Sequence, residues 1–74
     1  MNCGKALDLL LTGKAAKLSR EGWNNKGMWI ELQMPDENSK MTRPYIFINV
    51  DKNTRVPFQL SQHDLCSSDW QVIE

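Results

Sequence analysis

The sequence predicts an α+β domain, a short helix packed on an antiparallel sheet of about four or five strands, and three observations predict it. Cys3, Ala6, Leu7, Leu10 and Leu11 recur at three- and four-residue spacing, the period of one helical face. Residues 28 to 34 and 44 to 50 alternate apolar with mixed side chains, the period of a strand. Glycine, asparagine, aspartate and proline stand at the joints between these segments, where the backbone must turn.

Taken in order, Asn2 is suited to cap the first helix, because its side-chain oxygen can accept from an unpaired amide of the first turn, and Gly13 is suited to end it. Residues 15 to 20 form a brief strand leading into a loop. In residues 28 to 34, Met28, Ile30, Leu32 and Met34 share one face, while Trp29, Glu31 and Gln33 share the other. Residues 35 to 43 are polar and form an exposed connection. In residues 44 to 50, Ile46, Ile48 and Val50 face one way, and Tyr45, Phe47 and Asn49 the other. One short helix covers a single face, so the second bulky face is expected to meet a ligand or another copy of the chain. Residues 51 to 54 turn. Pro57 has no backbone donor, so the strand over residues 55 to 60 belongs at an edge or breaks there. Ser61 and Asp64 have the spacing of a capping box that opens a helical turn through Cys66, and residues 69 to 73 form the last strand.

The chain of 74 residues is expected to form one domain, 1 to 74, near the lower size at which a single core suffices. Oligomerisation is the expected source of extra stability. Nine Lys/Arg balance nine Asp/Glu, which disfavours long nucleic acid as a partner while leaving room for a small nucleotide that needs only local cations. Cys3, Cys66 and the single His63 lack metal-ligand spacing, so no zinc site or other metal is expected. No leader pattern and no membrane span are read from the sequence. Both cysteines are expected as free thiols in a reducing cytosol, Cys66 buried or half-buried.

The stretch from Arg20 to Trp29 is the chemically distinctive one. Gly22, Asn24, Asn25 and Gly27 allow a sharp turn that points backbone amides outward, and Trp23 and Trp29 offer π faces beside Arg20 and Lys26. Such a loop suits a flat anionic ligand, and the same indoles suit the core of a small domain. Catalytic constellations are weaker. His63 and Asp64 are neighbours on a helical turn and point about 100° apart, Cys66 has no base nearby in sequence, and Ser61 fits a helix cap better than a nucleophile. No enzyme is expected.

Several motifs occur together: an Ala-Leu-rich helix ending in Gly13-Lys14, Arg20-x-Gly-Trp-Asn-x-Lys-Gly-Met28, Arg43-Pro-Tyr-Ile, Val56-Pro-Phe-x-x-Ser-Gln-x-Asp-Leu65, and Asp69-Trp70. In this order they resemble the phage anti-Thoeris family of the second type over nearly the whole chain. The resemblance implies a homotetrameric α+β protein acting in the cytoplasm of the infected bacterial host. There it sequesters glycocyclic ADP-ribose made by TIR-domain enzymes, and in some members cyclic dinucleotides of CBASS defence, without cleaving them.

On that footing Trp23 stacks on a base, Met28 is counted among the ligand-binding residues, and Asn24 and Asn25 read a base edge or ribose. Arg20 or Arg43 meets the diphosphate. Phe58 forms the opposite wall, and Ser61, Gln62 and Asp64 supply polar contacts, with capping the alternative role for Ser61 and Asp64. Tyr45 and Trp70 belong to the sheet or a subunit interface. A protein-interaction module anchored by the tryptophans is the main alternative, and a hydrolase of the same signal a lesser one.

Overall fold

The computed structural model describes residues 1–23, 27–51 and 53–73. The chain runs α1 (Cys3–Leu11), β1 (Lys17–Arg20), β2 (Trp29–Gln33), β3 (Tyr45–Asn49), β4 (Arg55–Pro57), α2 (Gln62–Cys66) and β5 (Trp70–Ile73). Among the described residues the strands form one five-stranded antiparallel sheet in the order β4-β3-β2-β1-β5. The α+β class read from the sequence is the class the chain adopts.

Local chemistry sets the limits of α1. The Asn2 side chain accepts from the Lys5 amide at 2.8 Å. At the other end Gly13 takes φ 79°, the left-handed region that glycine enters without a Cβ penalty. That turn lets the Lys14 amide reach the Leu9 carbonyl at 2.9 Å and the Gly13 amide reach Leu10 at 3.3 Å, which is a Schellman stop. Cys3, Ala6 and Leu10 are buried as the spacing predicts, but Leu11 is 58% exposed. It is the last helical residue, turned about 100° from Leu10 and away from the sheet.

The sheet core is built from Leu18, Ile30, Ile48 and Trp70, with Ile46 and Leu32 packed against it. Registers Leu18↔Ile30 and Ile30↔Ile48 place these side chains on the helix side, and the period of two places Trp29, Glu31, Tyr45, Phe47 and Asn49 on the other. The strand expected over residues 55 to 60 ends at Pro57, at the sheet edge, although the Phe58 amide still donates to Ile46 at 3.0 Å. Proline interrupts the ladder there because it has no N–H to contribute. The return of β5 beside β1 matters most for the site. It pairs Arg20 with Trp70, residues far apart along the chain. Among the described residues no helix is long and apolar enough to cross a membrane.

Candidate functional site

Where β1 meets β5, one guanidinium organises three elements. Arg20 Nη1 donates to Asp64 Oδ1 at 2.8 Å, Nε donates to Asp69 Oδ1 at 2.8 Å, and Nη2 donates to Asp69 Oδ2 at 3.3 Å. The Arg20 side chain is 7% exposed, so these are charge-assisted bonds largely out of water. Asp69 Oδ2 also accepts from the Gly22 amide at 2.8 Å, which pins the turn after β1. A Cβ at position 22 would lie 2.7 Å from that oxygen, so a side chain there would force the carboxylate or the turn to shift.

Asp64 opens α2 and is held from several sides. The Ser61 hydroxyl accepts from the Asp64 amide at 3.1 Å and the Asp64 carboxylate accepts from the Ser61 amide at 3.2 Å, completing the capping box. The Trp23 indole N–H donates to Asp64 Oδ1 at 3.3 Å, and the Trp70 indole N–H donates to the Asp64 carbonyl at 2.9 Å. Burial alone would push the Asp64 carboxyl up, but hydrogen bonds from the Ser61 backbone, Arg20, the Ser61 side chain and Trp23 together hold it below the ordinary value. Asp69 is lowered chiefly by its hydrogen bonds from Arg20, against a smaller opposing effect of desolvation. Burial, and behind it the Asp64 charge, pushes the nearby Cys3 thiol up.

Over this polar frame lies an aromatic group. Trp23 meets Trp70 edge to face at 5.6 Å between centroids and Phe58 at 6.1 Å. Trp70 is fully inside, whereas Trp23 and Phe58 are half-buried and keep part of their surface toward solvent. Met28 is half-buried against the same core.

The structure thus brings Arg20, Trp23, Phe58, Ser61 and Asp64 together, with Gln62 exposed in the first turn of α2. Arg43 is exposed in the connection before β3, and nothing places it in this cluster. Asn24 and Asn25, with Lys26, lie outside the described residues. Ser61 and Asp64 take the capping role that the sequence left open. Trp29 does not join Trp23. It points to the opposite face of the sheet, with its indole N–H on Glu31 Oε2 at 2.8 Å and Lys17 Nζ 5.0 Å from its ring centre. Cys66 is exposed rather than buried, because it ends α2 on the solvent side. Sequence reasoning missed Asp69 as part of the frame. The signal in the chain was a charged residue directly before a buried tryptophan, but its target became visible only through the β1–β5 register.

The fold and this frame define a small α+β domain that presents a half-open aromatic surface over a buried Arg–Asp lattice. The chain belongs to the Thoeris anti-defense 2-like domain family, Tad2-like, whose model matches residues 1–73. It is therefore an anti-defence domain of the phage anti-Thoeris type. No curated protein shows significant similarity to it.

Proposed function

We propose that the protein binds and sequesters the cyclic nucleotide signal of TIR-domain defence enzymes, glycocyclic ADP-ribose, leaving it chemically intact. Its place of action is the cytoplasm of the infected bacterial host. The observation that carries this reading is family membership over residues 1–73 combined with the half-exposed Trp23–Phe58 pair at 6.1 Å. An edge-to-face pair leaves the face of one ring free for a base, and stacking contributes roughly 1–3 kcal/mol per base.

Within this reading Trp23 and Phe58 are the base platform. Arg20 is the frame rather than the anion site, because its charge is already committed to Asp64 and Asp69. Arg43, Asn24 and Asn25 are the candidates for phosphate and ribose contact, with Met28, Ser61 and Gln62 at the margin. Asp64 acts by holding the Trp23 indole. Cyclic dinucleotides are the second ligand class for the protein. Assembly into a homotetramer supplies the enclosure that tight binding requires, since capture of a nanomolar signal takes about −12 kcal/mol.

Isothermal titration with glycocyclic ADP-ribose tests the proposal, followed by heating of the complex and chromatography of the released ligand. Tight binding with intact ligand recovered is the expected result, and the Trp23→Ala variant loses at least tenfold in affinity while keeping its circular dichroism. A cleaved ligand replaces sequestration with hydrolysis. Absence of heat with every cyclic nucleotide favours a protein-interaction module.

A further inference from the structure

Across the sheet from Trp23, the face turned away from the helices carries its own organised polar chain. Trp29 Nε1 and Asn49 Nδ2 both donate to Glu31 Oε2, at 2.8 and 2.9 Å, and Asn49 Oδ1 in turn accepts from Arg55 Nε at 2.9 Å. Asn49 is only 2% exposed, so the relay is anchored inside the protein although Arg55 itself is exposed. Among the described residues Arg55 forms no ion pair and its terminal nitrogens have no acceptor. The carboxylate of this chain of bonds, Glu31, is separated from the guanidinium by the Asn49 amide. A guanidinium fixed through Nε presents its outer N–H groups as a preset fork.

That fork borders an open cavity of about 310 Å³ lined by Gln33, Tyr45, Phe47, Arg55, Val56 and Pro57. Phe47 stands opposite Pro57 in register, and Gln33 stands opposite Tyr45. The cavity thus has two rings, a proline, an amide and one oriented cation. Its volume is near the lower end of the ~300–1,000 Å³ span of small-molecule sites, enough for one ring system with its charged group.

We propose that this cavity is a ligand site, separate from the Trp23 surface, for a flat ring bearing one anionic group, either a phosphate monoester or a carboxylate. Arg55 grips the anion bidentately, Asn49 and Glu31 hold Arg55 in place, and Tyr45 and Phe47 contact the ring.

The test is titration of the full chain with AMP, benzoate, adenosine and inorganic phosphate, followed by amide chemical-shift mapping. AMP or benzoate binds at least tenfold more tightly than adenosine or inorganic phosphate, and which of the two binds identifies the anion. Shifts concentrate at Gln33, Tyr45, Phe47 and Arg55. Arg55→Gln weakens that binding at least tenfold with an unchanged unfolding midpoint, while Arg55→Lys, which keeps the charge without the fork, recovers only part of it. Four results overturn the proposal: no binding of AMP or benzoate at millimolar concentration, affinity indifferent to Arg55→Gln, shifts centred on Trp23 and Phe58, or ligand-free signals of Tyr45 and Phe47 that change with protein concentration because a second copy covers the face.

Discussion

Arg20 is held by carboxylates from two segments far along the chain, Asp64 on α2 and Asp69 before β5, so loss of either carboxylate acts on more than one element. Removing one partner of a buried pair typically costs about 3–5 kcal/mol when the remaining charge is uncompensated. Asp69 still compensates Arg20 in Asp64→Asn, so a loss of about 2 kcal/mol is expected, read from the urea unfolding midpoint at pH 7. A loss below ~0.5 kcal/mol would mean the pair is worth no more than an exposed one. The same carboxylates set an acid limit. Both are lowered in the folded protein relative to an ordinary aspartate value of about 3.9, so the unfolded chain takes up protons first as pH falls. Their stabilisation is complete above about pH 4 and is lost as pH drops through the folded values. Urea midpoints measured from pH 2 to pH 7 should fall below that point, with a shallower fall in Asp64→Asn. Gly22→Ala places a Cβ 2.7 Å from an Asp69 oxygen that also accepts from Arg20, so either the turn carrying Trp23 or the Asp69–Arg20 pair must shift. That variant is expected to lose about 1–3 kcal/mol and to weaken nucleotide binding, and an unchanged unfolding midpoint and affinity would show that the turn yields freely.

Helix and strand limits depend on neighbours close in sequence, which is why so much of them was legible. Asn2, Gly13 and the Ser61–Asp64 box act within a few residues of themselves, and each stands at the helix end where its chemistry places it. The alternation of residues 28 to 34 and 44 to 50 likewise assigned the faces of β2 and β3 correctly. What sequence could not supply was register. The bond from Arg20 to Asp69 spans 49 positions, and the opposite facing of Trp23 and Trp29 follows from where β2 begins. Leu11 failed for a different reason. A helical stripe is buried only where it faces the sheet, and Leu11, turned about 100° from the buried Leu10, lies beyond its margin. Gly13 offers a clean test at this scale, since nothing lies within 4 Å of where a Cβ would stand and only the φ of 79° opposes a side chain. Gly13→Ala is expected to cost about 1 kcal/mol in chemical denaturation, and Gly13→Asn less, because asparagine tolerates the left-handed region. Equal stability of all three would show that the Schellman stop relaxes without cost.

At the scale of the molecule the sheet has one face under helices and one face with Trp29, Tyr45 and Phe47 half-buried by their own neighbours alone. The buried apolar core comprises Cys3, Ala6, Leu10, Ala15, Leu18, Ile30, Ile48 and Trp70, several of them small. Such a core yields only a few kcal/mol of net stability after chain entropy is subtracted. Large apolar side chains remain outside it, including Leu11 at 58%, Val56 and Val72 on the edge strands and Leu65 on α2. Both facts favour assembly of copies, because association removes that surface from water and stabilises the folded state by mass action. The consequence is a thermal midpoint that rises with protein concentration. Across a hundredfold dilution series at fixed buffer, the midpoint should fall as the protein is diluted, and sedimentation should show lighter species over the same range. A saturating ligand seated between subunits would abolish the dependence by holding the assembly together, whereas a ligand contained in one subunit would raise the midpoint and leave its slope with concentration intact. A midpoint constant across the whole series, with sedimentation at the mass of one chain, would establish that this small core is sufficient alone and that any enclosure of a nucleotide must come from the chain's own loops.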